Sequence, residues 1–183
     1  MNSDNAQNLI LAAKNGNPKA FSELYELYFV PVYRYIYFRV KHKEEAEDLV
    51  QAVFVKAYHA VAGYKDMGKS PLAYFYTIAR NAVVDYWRKQ KRVINLEDVE
   101  AEVRISPGIN PASLAEERVE LKRVLKALKK LTPEQEEVVT LKFINDLSNK
   151  QISELLGKSE DAVRQIQHRA LERLRAMYYE QSI

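Results

Sequence analysis

Apolar residues recur along this chain with the period of an α-helix almost wherever they cluster. In 44–61 the positions Ala46, Leu49, Val50, Val53, Phe54 and Ala57 fall on one face. In 70–92, Phe75, Ile78, Ala79, Ala82 and Tyr86 form a second inward stripe, behind a Ser70-Pro71 start. Gly16-Asn17-Pro18 ends a first short helix and opens another, with Asn17 as cap and Pro18 at the first helical position. Pro31 lies inside the apolar stretch 21–40, where a missing N–H predicts a kink or a restart. No alternating strand pattern of useful length occurs, so residues 1–92 read as a helical bundle. Over 93–112 the period fails, and acidic residues surround Ser106-Pro-Gly-Ile-Asn-Pro111, the composition of a linker. Helical signals resume with three capping boxes, Ser113…Glu116, Thr132…Gln135 and Ser148…Gln151. Gly157 then breaks the chain, and Ser159 caps a last helix running to about Tyr179. The expected fold class is all-α: two small helical domains, 1–92 and a four-helix 113–183, joined by the linker 93–112.

Charge sharpens this division. The whole chain carries a net charge of only +3. Residues 1–92 hold 14 basic and 9 acidic side chains, 93–117 hold 1 and 6, and 118–183 hold 13 and 10. Two basic blocks thus flank an acidic stretch. The absence of cysteine excludes disulfides, thiolate metal sites and a cysteine nucleophile. His42, His59 and His168 have no metal-ligand spacing, and no phosphate loop or nucleophile–base pair is visible, so neither an enzyme nor a cofactor is expected. No apolar run approaches the ~18–20 residues that span a bilayer. Met1-Asn-Ser-Asp-Asn lacks a signal-peptide layout, which predicts a cytoplasmic protein without membrane insertion.

The segment 148–175 pairs a short helix (Ile152, Leu155, Leu156) with a glycine turn and a longer amphipathic helix, the helix-turn-helix arrangement. Val163, Ile166, Ala170, Leu174 and Met177 make the buried stripe. Arg164, Gln165, His168 and Arg169 are left outward near the end that enters a major groove. Arginine pairs bidentately with guanine and glutamine with adenine, whereas Lys158, beside the cap Ser159, and Arg173 are better placed for phosphates. Acidic Glu160 and Asp161 oppose DNA binding, and an ordinary helical hairpin with a solvated charged face is the competing reading.

The outer side of the helix 70–92 carries Tyr76, Thr77, Arg80, Asn81, Val84, Trp87 and Arg88. Aromatic planes, guanidinium groups and an amide on one face suit unstacked bases. Alternatively, Tyr76 and Trp87 pack on neighbouring helices and the basic residues are merely solvated. Sixteen of the nineteen aromatic residues lie in 1–92, and ten tyrosines there exceed the expected needs of a core. On 44–61, Asp48, Gln51, Ala52 and Val55 form an outward strip suited to docking a helix. Glu44, Glu45 and Glu47 also complement that helix's own dipole, and this simpler explanation leaves Val55 unaccounted for.

The order of the pieces carries a resemblance. Ala20-Phe-Ser-Glu-Leu-Tyr-Glu-Leu-Tyr28, Val32-Tyr-Arg-Tyr-Ile-Tyr-Phe-Arg-Val40, Ala46-Glu-Asp-Leu-Val-Gln51 with Phe54-Val-Lys-Ala-Tyr58, and Tyr76-Thr-Ile-Ala-Arg-Asn81 with Asp85-Tyr-Trp-Arg88 follow one another. Leu125-Lys-Ala-Leu-Lys-Lys-Leu-Thr-Pro-Glu-Gln135 and the helix-turn-helix complete the series. In this order they resemble the extracytoplasmic-function sigma factors, the two-domain class of bacterial sigma factors. The resemblance implies binding to core RNA polymerase, melting and reading of a −10 element by the first domain, and reading of a −35 element by the second. It maps the polymerase-clamp contact onto Asp48 and Gln51, with Ala52 where an acidic residue is frequent. It maps a flipped-base pocket onto the loop Gly63–Ser70, with Tyr64, Lys65 and Lys69, and onto Asn81. Tyr74 stands where tryptophan is frequent. Ile166-Gln167 replaces a basic–apolar pair, a swap expected to alter the promoter-reading surface. An anti-sigma protein is an implied partner. The contrasting hypothesis is a self-sufficient helix-turn-helix regulator with an N-terminal dimerisation or ligand-binding bundle, for which the first domain's aromatic–basic face would have no use.

Overall fold

The computed structural model of this chain describes residues 3–93, 121 and 123–180. They are helical with no strand among the described residues, and they fall into two compact units. The first unit holds α1 (Ser3–Lys14), α2 (Pro18–Val40), α3 (Lys43–Ala60), a 3-10 turn (Val61–Gly63) and α4 (Pro71–Val93). The second holds the helical residues 123–128 (α5), α6 (Pro133–Val139), α7 (Asn149–Leu156) and α8 (Glu160–Glu180). The linker 93–112 and the Ser113…Glu116 box lie outside the described residues apart from the last position of α4.

In the first unit, Asn17 Oδ1 accepts from the Lys19 and Ala20 N–H groups at 3.0 and 3.3 Å, starting α2 as expected. α2 then runs through Pro31 without restarting. Its buried residues on either side, Leu24, Tyr28, Val32 and Ile36, fix it against its neighbours, so tertiary packing outweighs the lost backbone bond. α2 packs on α1 and α4. Phe75 of α4 is the hub of the core: its ring meets Phe21, Tyr28, Phe54 and Tyr74 at centroid distances of 6.2, 5.3, 5.2 and 5.3 Å. Tilted and edge-on pairs of this kind contribute about 0.5–1.5 kcal/mol each beyond their buried area.

In the second unit, Leu125, Leu128, Val138, Leu141, Ile152, Val163 and Ala170 form the core. The Thr132 box closes as expected, the Thr132 N–H donating to Gln135 Oε1 at 3.1 Å and the Gln135 N–H to Thr132 Oγ1 at 3.3 Å. α6 widens into a π-turn over Thr140–Ile144, where the Asn145 N–H reaches back to the Thr140 carbonyl at 3.1 Å. Thr140 and Leu141, within this turn, are both fully buried. Asp146, with φ of 53°, then turns the chain toward α7; aspartate is among the few side chains that tolerate this region.

Candidate nucleic-acid interface

The reading head is built by local bonds that fix α8 relative to α7. The Ser148 N–H donates to Gln151 Oε1 at 2.8 Å and the Gln151 N–H to Ser148 Oγ at 3.2 Å, which starts α7. Gly157 ends it at φ 66°, and the following Lys158 N–H returns to the Ser153 carbonyl at 3.0 Å. Ser159 Oγ accepts from the Ala162 N–H at 3.1 Å and starts α8. The Gln167 amide then donates to Asn149 Oδ1 at 2.9 Å, clasping the two helices. Val163 and Ala170 are buried, and Ile166, Leu174 and Met177 half-buried. Lys158, Ser159, Arg164, Gln165, His168, Arg169 and Arg173 are all exposed, so the structure leaves these candidate −35 residues available on and beside α8. Of the Ile166-Gln167 pair, Ile166 belongs to the half-buried packing stripe and Gln167 is bonded to Asn149.

Several of these side chains already have acidic partners. Arg164 Nη2 lies 2.6 Å from Asp161 Oδ1, and its Nη1 lies 3.7 Å from Glu160 Oε2. The hydrogen bond to Asp161, then that carboxylate's charge, hold the guanidinium pKa further above its ordinary value. Lys158 Nζ meets Glu134 Oε1 at 2.7 Å, and His168 Nδ1 meets Glu172 Oε2 at 3.3 Å. Exposed pairs of this kind add little to the stability of the fold.

The second candidate surface, on the first unit, requires two corrections. Tyr76, expected on the outer face of α4, has 0% exposure and packs edge-on against Tyr35 at 5.4 Å. With Ala79 and Val83, also buried, it forms an i, i+3, i+7 stripe that widens the inward face. Tyr64, expected to line the base pocket, is also buried, its ring edge-on to Tyr74 at 5.5 Å. The surplus of tyrosines has the same answer: Tyr28, Tyr35, Tyr37, Tyr64 and Tyr76 are core residues, and only Tyr25 and Tyr58 of the ten are exposed.

What remains on this surface is coherent. Thr77, Asn81 and Arg88 are exposed, while Arg80 and Trp87 are half-buried, with Trp87 edge-on to Tyr86. Arg88 pairs with Asp85 at 3.1 Å. In the loop, Lys65 and Met67 are exposed and Lys69 half-buried. Asp66 Oδ1 accepts from the Gly68 N–H at 2.9 Å, and Gly68, at φ 68°, makes the turn. Tyr74 supports the loop from beneath. Its hydroxyl donates to the Ala57 carbonyl at 2.8 Å, and burial pushes its pKa up to about 12. On α3, Asp48, Gln51, Ala52 and Val55 are exposed, Val55 at 58%, as the period predicts. Ala52 also lines a groove with Leu49, Ile78 and Tyr86, rimmed by Lys56 and Lys89. Among the described residues no cluster of His, Asp and Glu could hold a metal ion, and no helix is long and apolar enough to cross a membrane.

The chain matches the family models Sigma-70 region 2 over residues 24–93 and Sigma-70, region 4 over residues 127–176. It is 34% identical to the ECF RNA polymerase sigma factor BldN of Streptomyces coelicolor over 91% of its own length, and spans 63% of that protein. It is 32% identical to the ECF RNA polymerase sigma factor SigM of Bacillus subtilis, over 85% of this chain and 93% of SigM. Among solved structures, CnrH in complex with the cytosolic domain of CnrY is similar at a TM-score of 0.76 and 25% identity, covering 96% of this chain and 98% of CnrH. The sigma factor RpoE in complex with the anti-sigma factor NepR, from Bartonella quintana, shares the fold at a TM-score of 0.72 and 23% identity, over 88% and 98% of the two chains. With both sigma-70 regions present in order and relatives matched along nearly its whole length, the chain belongs to the ECF RNA polymerase sigma factors.

Proposed function

We propose that this chain binds core RNA polymerase and directs it to promoters, the first unit melting and reading the −10 element and the α7–α8 head reading the −35 element. The observation that carries this reading is the pair of region 2 and region 4 matches in one chain. The exposed Arg164, Gln165, His168 and Arg169 on α8 support the −35 assignment, with Lys158 and Arg173 toward phosphates. Asn81, Thr77 and the loop 63–70 supply the −10 surface, with Arg80, Trp87 and Arg88 beside them. Asp48, Gln51 and Val55 form the polymerase contact. Tyr64 and Tyr76 act from within the fold, shaping that surface rather than touching bases. The factor works in the cytoplasm, where polymerase and promoter DNA are, and an anti-sigma protein is a further partner, as NepR is for the sigma factor RpoE. A self-sufficient regulator is not favoured, because a region 2 domain gives the N-terminal bundle a different task.

Reconstitution tests this directly. The purified chain should associate with core polymerase and start transcripts from a promoter. Asp48→Arg should weaken association without changing helix content, because Asp48 is exposed on α3. Asn81→Ala should reduce permanganate-reactive strand opening more than it reduces polymerase binding. A chain that ignores core polymerase and binds a palindromic duplex alone, as a dimer, would sink the proposal in favour of the regulator.

A further inference from the structure

We infer that Asp161 is a specificity-determining residue that acts through Arg164: its carboxylate holds the guanidinium in the pose that reads the −35 base. The inference rests on the proposed role of α8 and deepens it. Arginine is long and rotamer-rich, and an exposed one visits many orientations before DNA arrives. Here Asp161 and Arg164 are three residues apart on one exposed face at the start of α8, and Oδ1 takes an Nη2 hydrogen at 2.6 Å. One bond of this kind leaves the other guanidinium N–H groups for the two acceptors on the major-groove edge of guanine. It also fixes the direction in which they point, so less freedom is lost on docking.

Charge alone does not account for the arrangement. A carboxylate on the reading face repels phosphates, and this lowers affinity for every sequence. Favourable interaction with the helix dipole explains an acidic residue in the first turn, but Glu160 satisfies the dipole equally. Glu160 lies 3.7 Å from Arg164, beyond hydrogen-bond reach, whereas Asp161 is bonded to it. The two neighbours therefore share charge and helix position and differ in whether they hold the arginine.

That difference sets the experiment. Holoenzyme is assembled from core polymerase and each variant, and competition binding is measured on promoters substituted singly at each −35 base pair. Arg164→Ala should lose roughly tenfold discrimination at one base pair, the worth of a good bidentate contact. Asp161→Ala, which removes the acceptor along with the charge, should bind all the promoters more tightly, yet its discrimination at that same base pair should fall by about threefold or more. Asp161→Glu should regain part of the lost discrimination. Glu160→Gln should tighten binding while keeping the discrimination intact. If Asp161→Ala and Glu160→Gln both keep full discrimination while Arg164→Ala loses it, Asp161 is only a surface charge and the inference is overturned. If Arg164→Ala itself keeps discrimination, the base-reading role of α8 fails and takes this inference with it. An even weakening at all promoters by Asp161→Ala, with a lowered melting temperature, would reveal a merely structural residue and also overturn it.

Discussion

Tyr76 and Asn81 stand five positions apart on α4 with opposite surroundings, one sealed in the core and the other exposed. Tyr76→Ala should cost about 3–5 kcal/mol, the range for deleting a buried aromatic ring. Asn81→Ala should stay within about 0.5 kcal/mol, as surface substitutions do. Urea unfolding of the two variants measures both, and a mild Tyr76→Ala would place that ring outside the core after all. Tyr74 adds a pH dependence. Its pKa rises from an ordinary 10.0 to about 12 because burial disfavours the phenolate. Above pH 10.0 the unfolded chain loses this proton before the folded chain does, so the unfolded state binds fewer protons there and stability falls as pH rises toward about 12. Below that window the contribution is intact. Tyr74→Phe should remove this share of the alkaline loss, at a cost near neutral pH of about 1 kcal/mol for the bond to Ala57. An unchanged alkaline slope in urea titrations would assign the loss to other groups. Residue by residue, exposure was legible at several polar positions: Thr77, Asn81, Arg164 and Gln165 lie where helical period puts them. It was not legible for tyrosine, whose ring suits a core and whose hydroxyl suits a surface, so period alone does not sort it. Tyr76 was nevertheless sortable, through Ala79 and Val83 at i+3 and i+7.

The helices themselves were written in short-range chemistry. The Asn17, Thr132, Ser148 and Ser159 caps close as their spacing predicts, because a capping bond involves residues within one turn. α3 and α4 match the expected 44–61 and 70–92 to within a residue at each end. Pro31 and the π-turn over Thr140–Ile144 were misjudged or unseen, since whether a helix survives a missing bond or admits an extra residue depends on the surfaces packed against it. The Gln167–Asn149 clasp escaped for the same reason: its partners are eighteen residues apart. Gly157 offers a test of the turn that aims α8. A Cβ there would meet nothing within 4 Å, but φ is 66°, so the cost of a side chain is conformational rather than steric. Gly157→Ala should destabilise the second unit by about 1–2 kcal/mol, and Gly157→Asn by less, because asparagine visits the left-handed region more easily. Equal costs for the two, read from urea midpoints, would mean that the turn relaxes into another geometry and α8 is not held by it.

At the scale of the whole molecule, the proposed function places two readers and a polymerase contact on a single chain. The motifs that reveal this were legible because each is local and their order is linear; what joins them energetically was not, because sequence spacing carries no information about coupling between domains. The acidic 93–117 separates two basic blocks in sequence, and the proposed polymerase contact on α3 belongs to one unit while Arg164 belongs to the other. Sites without shared partners contribute additively, within about 0.3–0.5 kcal/mol. Asp48→Arg should therefore lower initiation by the same factor at every promoter, since it weakens holoenzyme assembly before any DNA is read. Arg164→Ala should lower it only where the preferred −35 base is present, and should do nothing further at a promoter already altered there. The double variant should show the product of the two factors when initial transcription rates are compared below saturating factor. A deficit much larger or smaller than that product would show that polymerase binding changes how α8 reads DNA, and the two units would then act as one coupled reader instead of two linked ones.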